Sequence, residues 1–235
     1  MNATPRVLII KIQPYNSLVS SSLRMIAMMK GLYELGFEME LVTCAPSVTA
    51  ILDDFSECDF LKDVKFVSLS ANIRYENLVT SKSGWKQFVL PFARSIYHRL
   101  SLYDNSQAIA NKASIGSLSR NEYDYVISVS DPKTSHVALK KLVNQGLKAN
   151  KIIQYWGDPL YNDIAQKAIY PNIVLKREER KFLRIADKVV YTSPLTLENQ
   201  KRIYPDQAAK MIFVPTANAS QKLYPPTNND TFTVG

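Results

Sequence analysis

The sequence predicts a doubly wound α/β fold, a mostly parallel sheet with helices on both faces. Seven short apolar runs alternate with stretches of helical spacing, which is the pattern of a layered sheet and not of a bundle or a sandwich. The opening run is continuous in its apolar character, as in a strand buried on both faces. One unit shows the connection directly. The apolar runs 125–129 (YVISV) and 152–156 (IIQYW) are separated by about one helix of residues, 134–145. A strand–helix–strand unit in one sheet is parallel and right-handed.

In chain order, residues 6–12 (RVLIIKI) form the first strand, broken by Gln13-Pro14-Tyr15-Asn16. Met25, Met28, Met29, Leu32 and Leu35 then share one stripe of a helix over 20–35. Ser20, Ser21 and Ser22 stand at its start, where they can cap it or where its free N–H groups can hold an anion. Gly36 stops the helix, and 38–43 (EMELVT) is the second strand. Segment 53–63 is acidic and irregular, and 65–69 (KFVSL) is the third strand.

Segment 81–117 is long and mostly helical in pattern, with Trp85, Phe88, Phe92, Ile96 and Leu100 at three- and four-residue steps. Lys82, Lys86, Arg94 and Arg99 lie around that stripe, and Pro91 is expected to kink or split the helix. An aromatic, basic helix fits two settings. It can lie in the interface of an anionic membrane, with Lys82, Trp85, Lys86, Phe88 and Arg94 as contacts, or it can pack on the sheet with a solvated basic face.

Downstream, 173–186 (IVLKREERKFLRIA) reads as a helix with a stripe of Val174, Glu178, Phe182 and Ile185, Leu175 and Ala186 beside it, and the charges of 176–181 on its wet side. Residues 188–191 (KVVY) are a strand, and Ser193 caps a helix with Pro194 at its first position, running to about Ile203. Residues 211–214 (MIFV) are the last clear strand, ended by Pro215-Thr216-Ala217-Asn218. A polar, Pro-rich linker follows, and 231–235 (TFTVG) reads as a fresh strand. The expected organisation is one domain over 1–222, then a linker and the start of a further domain over 223–235.

The 235 residues carry a formal charge of +8, and the sequence pI is near 9.3. Such a balance favours an anionic partner: nucleic acid, an acidic membrane face or a phosphorylated ligand. Cys44 and Cys58 give neither a disulfide framework nor metal-ligand spacing, and no metal site is expected. No apolar run reaches the roughly 20 residues that span a bilayer, and the N-terminus has no signal-peptide pattern, so a cytoplasmic location is expected.

Four stretches resemble the N-terminal half of a GT-B glycosyltransferase, most closely glycosyltransferase family 4. Residues 36–43 (GFEMELVT) resemble that family's Gly-His-x-Val-x-Val-x-Thr strand. Residues 123–132 (YDYVISVSDP) resemble its D-x-V-x-x-H-x-P strand and turn. Residues 186–193 (ADKVVYTS) resemble its A-D-x-V-V-x-x-S, and 210–218 (KMIFVPTAN) its K-I-x-V-I-P-N-G-V. The resemblance covers nearly the whole chain. It implies a Rossmann-like domain on the acceptor side of a retaining transferase that takes sugar from a nucleotide-sugar donor. It also implies that the donor is held mainly by a C-terminal domain bearing a Glu-x7-Glu pair that this chain lacks, so this chain alone is expected to be inactive. No other cofactor is implied. Polysaccharide or surface-glycan assembly is the family's common setting. Two departures stand out: Leu18-Val19-Ser20-Ser21-Ser22 replaces the family's Gly-Gly loop, and Trp156-Gly157-Asp158 stands where many members have a donor-contacting His.

The candidate site follows from the strand ends. In open α/β sheets ligands bind outside the carboxyl edge, where Ser130-Asp131-Pro132-Lys133 and Gly157-Asp158-Pro159 emerge. Asp158 is the candidate catalytic residue, for sugar hydroxyls or an acceptor nucleophile; it is otherwise a turn aspartate before Pro159. Asp131 has the same two readings beside Pro132. Gly157 would let backbone approach a ligand closely. Lys133 would meet a phosphate on a lipid-linked acceptor or stay solvated, and His136 would be an acceptor ligand or a helix-packing histidine. Ser20, Ser21 and Arg24 complete the acceptor-binding set. The implied partners are a glycan or lipid-linked acceptor, a nucleotide-sugar donor and an anionic membrane surface. The rival classes are a dehydrogenase and a non-catalytic binder of nucleic acid or a phosphorylated ligand. The first lacks G-x-G-x-x-G after the opening strand. Nucleic acid is disfavoured because the aromatics lie in apolar stripes and are not interleaved with exposed basic residues.

Overall fold

The computed structural model describes residues 4–17, 19–45, 58–70, 86–163 and 168–216, with backbone alone at 86–88. Its strands are β1 (Arg6–Ile10), β2 (Glu38–Cys44), β3 (Lys65–Leu69), β4 (Glu122–Val129), β5 (Lys148–Trp156), β6 (Lys188–Tyr191) and β7 (Met211–Phe213). They form one seven-stranded sheet in the order β3-β2-β1-β4-β5-β6-β7, and every pair is parallel. The helices are α1 (Ser20–Glu34), α2 (Lys86–Leu100), the short α3 (Gln107–Ala110), α4 (Thr134–Asn144), α5 (Asn172–Leu183) and α6 (Pro194–Ile203). The doubly wound architecture is therefore as the apolar runs imply.

The continuous run of β1 has a simple cause. Leu8 and Ile10 join the core under α4, while Val7 and Ile9 join Met25, Ile26 and Met29 of α1 on the opposite face. A third cluster beneath β5, β6 and β7 gathers Trp156, Phe182, Tyr191 and Tyr204. One polar residue in β5 is accommodated by pairing: Gln154 Nε2 donates to Phe182 O at 2.8 Å, and its Oε1 accepts from Trp156 Nε1 at 3.2 Å.

Helix ends follow local chemistry. Gly36 has φ +78° and closes α1, with Phe37 N donating to Leu32 O at 3.0 Å, a bond that uses a terminal carbonyl. Ser193 Oγ accepts from Thr196 N at 3.4 Å to cap α6, whose first residue is Pro194. At α1 the expected serine cap is absent: the N-cap is Val19, with no side-chain bond. Ser21 and Ser22 are instead buried and turned toward the preceding loop, Ser22 Oγ lying 2.9 Å from Ser17 Oγ.

Other expectations need correction. β4 and β5 begin several residues earlier than their apolar runs, because main-chain pairing continues through polar positions, from Glu122 beside Lys148. The expected long helical segment is interrupted: α2 ends at Leu100, and α3 and a 3-10 turn (Ile115–Ser117) follow. Pro91 does not split α2, which runs through it. In α5 the buried residues are Leu175, Glu179, Phe182 and Leu183, so one charge assigned to the wet side lies in the core. The expected linker and the strand start at 223–235 lie outside the described residues, as do Lys82 and Trp85 and the side chains of Lys86 and Phe88. Among the described residues no helix is long and apolar enough to cross a membrane.

Leu8 is fully enclosed at the centre of the sheet. Leu8→Ala is predicted to lower unfolding free energy by roughly 2–5 kcal/mol in urea titration, with little change in slope. A loss below about 1 kcal/mol would place Leu8 outside the core.

Candidate functional site

The strand order reverses between β1 and β4, which makes their carboxyl ends the topological switch point of the sheet. The chain beyond β1 supplies Lys11, Ile12 and Gln13; beyond β4 it supplies Ser130 to Lys133; beyond β5 it supplies Gly157 to Asp163. Side chains from all three, and from the first turn of α1, meet there.

Lys11 is the centre of the group, and its side chain is fully buried. Its Nζ donates to Asp131 O at 2.5 Å and to Ser21 Oγ at 3.0 Å, and Ser21 Oγ donates to Gln13 Oε1 at 3.3 Å. Burial lowers the Lys11 ammonium to about 7 against the opposing pull of Asp131 and Cys44, with Arg24 adding to the drop. Sequence reading missed this residue because it sits inside an apolar run; the signal was that same lysine interrupting a strand buried on both faces.

Asp131 and Gly157 are brought together across β4 and β5. Gly157 N donates to Ser130 Oγ at 3.1 Å. A Cβ placed on Gly157 would stand 3.4 Å from Asp131 Oδ2 and 3.2 Å from Arg24 Nη2, so a side chain here would displace the guanidinium. The glycine is used for this close approach. Arg24 Nε also donates to Ser20 O at 3.3 Å, and Ser20 itself is exposed.

Lys133 bridges two carboxylates, with Nζ 3.2 Å from Asp131 Oδ1 and 2.7 Å from Asp163 Oδ2. Burial works against its charge, but Asp131 and Asp163 outweigh it and hold the ammonium above its ordinary value. Asp158 is exposed on the rim. Partial burial and the neighbouring Asp131 and Asp163 raise its carboxyl, while Lys133 and Arg24 pull the other way. Three carboxylates, Asp131, Asp158 and Asp163, and two cations, Lys133 and Arg24, thus gather at one edge, a set able to bind hydroxyls and to balance charge on an anionic group.

His136 does not join them. It is fully enclosed, stacked on Trp156 at 4.1 Å between ring centroids, and its Nδ1 lies 2.7 Å from Ser128 Oγ. Burial, with help from Lys133, depresses it to about 3, so it stays neutral and packs α4 on the sheet. Asp104, also missed, accepts from Thr134 N at 2.9 Å and Thr134 Oγ1 at 2.8 Å, which ties the chain after α2 to the start of α4 beside Lys133. A separate pocket lined by Thr4, Pro5, Arg6, Asp124, Tyr125 and Asn150 lies at the other end of the strands and contains none of the candidate residues.

The Lys11 shift has a measurable consequence. Its folded pKa lies below the unfolded value, so the unfolded chain holds more protons between about 7 and 10.5 and stability climbs over that window. Comparing pH 7.5 with pH 9.5, wild type is predicted to gain on the order of 2 kcal/mol relative to Lys11→Met. Parallel stability curves for the two proteins would contradict a buried, titrating Lys11.

No family model matches the sequence, and no curated protein matches it. Solved structures do resemble the fold. Anabaena HepE in complex with UDP and glucose is 9% identical over 91% of this chain and 45% of its own, with a TM-score of 0.45. Acinetobacter baumannii MurG is 12% identical over 97% of this chain and 47% of its own, with a TM-score of 0.42. A UDP-glucosyltransferase from Polygonum tinctorium is 13% identical over 94% of this chain and 54% of its own, with a TM-score of 0.42. The chain spans about half the length of each of these structures. At this level the likeness carries no argument about function, and the functional reading rests on the chain's own residues.

Proposed function

We propose that this chain forms the acceptor side of a retaining glycosyltransferase, moving sugar from a nucleotide-sugar donor to a glycan or lipid-linked acceptor in polysaccharide or surface-glycan assembly. The observation that carries the reading is the convergence of Asp131, Lys133, Gly157 and Arg24 at the switch point, with Asp158 on the same rim. The sequence resemblance supports the reaction class. In this reading Asp158 and Asp131 hold acceptor hydroxyls, and Lys133 and Arg24 face an anionic group on acceptor or donor. The donor itself is held mainly by a further domain. Departure of a nucleoside diphosphate from an oxocarbenium-like centre draws on positioning and charge stabilisation, and it asks for no acid–base pair among these side chains.

The proposed setting is the cytoplasmic face of an anionic membrane. One observation favours the surface contact. Val89, Phe92, Ile96 and Leu100 expose 46%, 68%, 41% and 58% along one stripe of α2, and Ile169 exposes 65% beside its end. Ile169 N donates to Arg99 O at 3.0 Å and Tyr170 Oη to Leu100 O at 2.9 Å, so this stripe is fastened to the chain leaving the Asp158 loop. No acidic residue lies within α2. An apolar stripe with basic neighbours is the composition of an interfacial helix.

In the transferase that carries this chain, Asp158→Ala is predicted to reduce sugar transfer by at least about a hundredfold with an unchanged melting temperature, since it removes a group acting at the reacting centre. Unimpaired turnover would remove Asp158 from the site. The chain alone, assayed with nucleotide-sugars, is predicted to give no transfer. Charge reversal at Lys82, Lys86, Arg94 and Arg99 is predicted to abolish sedimentation with phosphatidylserine liposomes, and undiminished binding would end the membrane assignment.

A further inference from the structure

Glu179 is a charged residue at full burial inside a helix whose polar face meets solvent, and the site described above does not use it. Its partners are specific. Glu179 Oε1 accepts from Leu160 N at 3.2 Å, and Oε2 accepts from Tyr161 N at 2.9 Å and from Tyr204 Oη at 2.9 Å. Leu160 and Tyr161 directly follow Asp158-Pro159 in the rim loop. A carboxylate is the side chain suited to this place, because two main-chain N–H groups need two acceptor oxygens and an amide side chain offers one. We propose that Glu179 is the positioning residue of the site: from α5 it holds the backbone of the β5–α5 loop and so fixes Asp158 against Asp131 and Lys133.

The inference rests on the reading of that loop as part of the acceptor site, but the clamp is testable without sugar transfer. Its chemistry tolerates a proton. Tyr204 Oη also lies 3.2 Å from Lys176 O. When Glu179 is ionised the tyrosine donates to it. When Glu179 is neutral its own O–H donates to the tyrosine oxygen, and the tyrosine donates to Lys176 O. Both states keep the two main-chain contacts. Burial raises the Glu179 carboxyl to about 7, opposed by its bonds to Tyr161, Tyr204 and Leu160 and by the Lys133 charge. Among the described residues the Tyr191 hydroxyl of β6 also faces it, and Arg180 lies over the Tyr204 ring at 5.6 Å.

The experiment is amide hydrogen exchange on this chain at pH 7.5, with carbon-13 detection of the Glu179 carboxyl. In wild type the Leu160 and Tyr161 amides are expected to be protected and the carboxyl to titrate near 7. Glu179→Gln is expected to speed exchange at one or both amides by at least about tenfold, leaving Ile9 and Val126 unchanged. Tyr204→Phe removes the hydroxyl alone; it is expected to raise the carboxyl titration and to leave both amides within about threefold of wild type. Free-peptide exchange rates at Leu160 and Tyr161 in wild type overturn the proposal whatever the variants do. Unchanged rates in a folded Glu179→Gln protein overturn it equally. A clamp that passes while Asp158→Ala transfers sugar normally would leave the positioning of the loop standing and refute its catalytic use.

Discussion

The arrangement of this protein's rim depends on one buried lysine. Lys11 Nζ spans from the end of β1 to the carbonyl of Asp131 beyond β4 and to Ser21 in the first turn of α1. Those three segments meet where the strand order reverses, and no main-chain ladder joins them there. A buried amine is costly, charged or neutral, unless its protons are placed. Here the placing adds a side-chain link between the two halves of the sheet just beyond the β1–β4 ladder, beside the bond from Ile12 N to Ser135 Oγ. The same contact diverts Ser21 from capping α1.

Charge at the rim is arranged in alternation. Lys133 sits between Asp131 and Asp163, and Arg24 and Asp131 approach Gly157 together. Behind this layer Glu179 and Asp104 act on main-chain N–H groups, one on the loop after β5 and the other at the start of α4. The acids of the rim are therefore backed by two further acids, Glu179 fully buried and Asp104 partly so. Such support lets a loop site keep its geometry when the residues that meet the ligand are themselves on irregular backbone.

Much of the fold was legible because a parallel sheet buried on both faces writes itself as apolar runs, and each of the seven runs is a strand. Runs mark where strands end better than where they begin: β4 and β5 extend backward through Glu122 and Lys148, where pairing needs only backbone. The gathering of Asp131, Lys133, Gly157 and Asp158 followed from the rule that parallel strands finish on one edge. What could not be read was direction. His136 belongs to the same helix start as Lys133, yet its ring turns inward onto Trp156. Glu179 has the composition of a solvated residue, and only the distant Tyr204 and the loop amides make it a core one. Lys11 and Asp104 were hidden likewise, since their partners are 120 and 30 positions away in sequence.

The most direct test of the account is a crystal structure of the protein that carries this chain, bound to an unreactive analogue of the proposed acceptor. The account predicts acceptor oxygens within hydrogen-bonding distance of Asp158 and Lys133, over the Gly157 backbone. An acceptor seated at the opposite end of the strands, in the pocket of Arg6, Asp124 and Asn150, would contradict it.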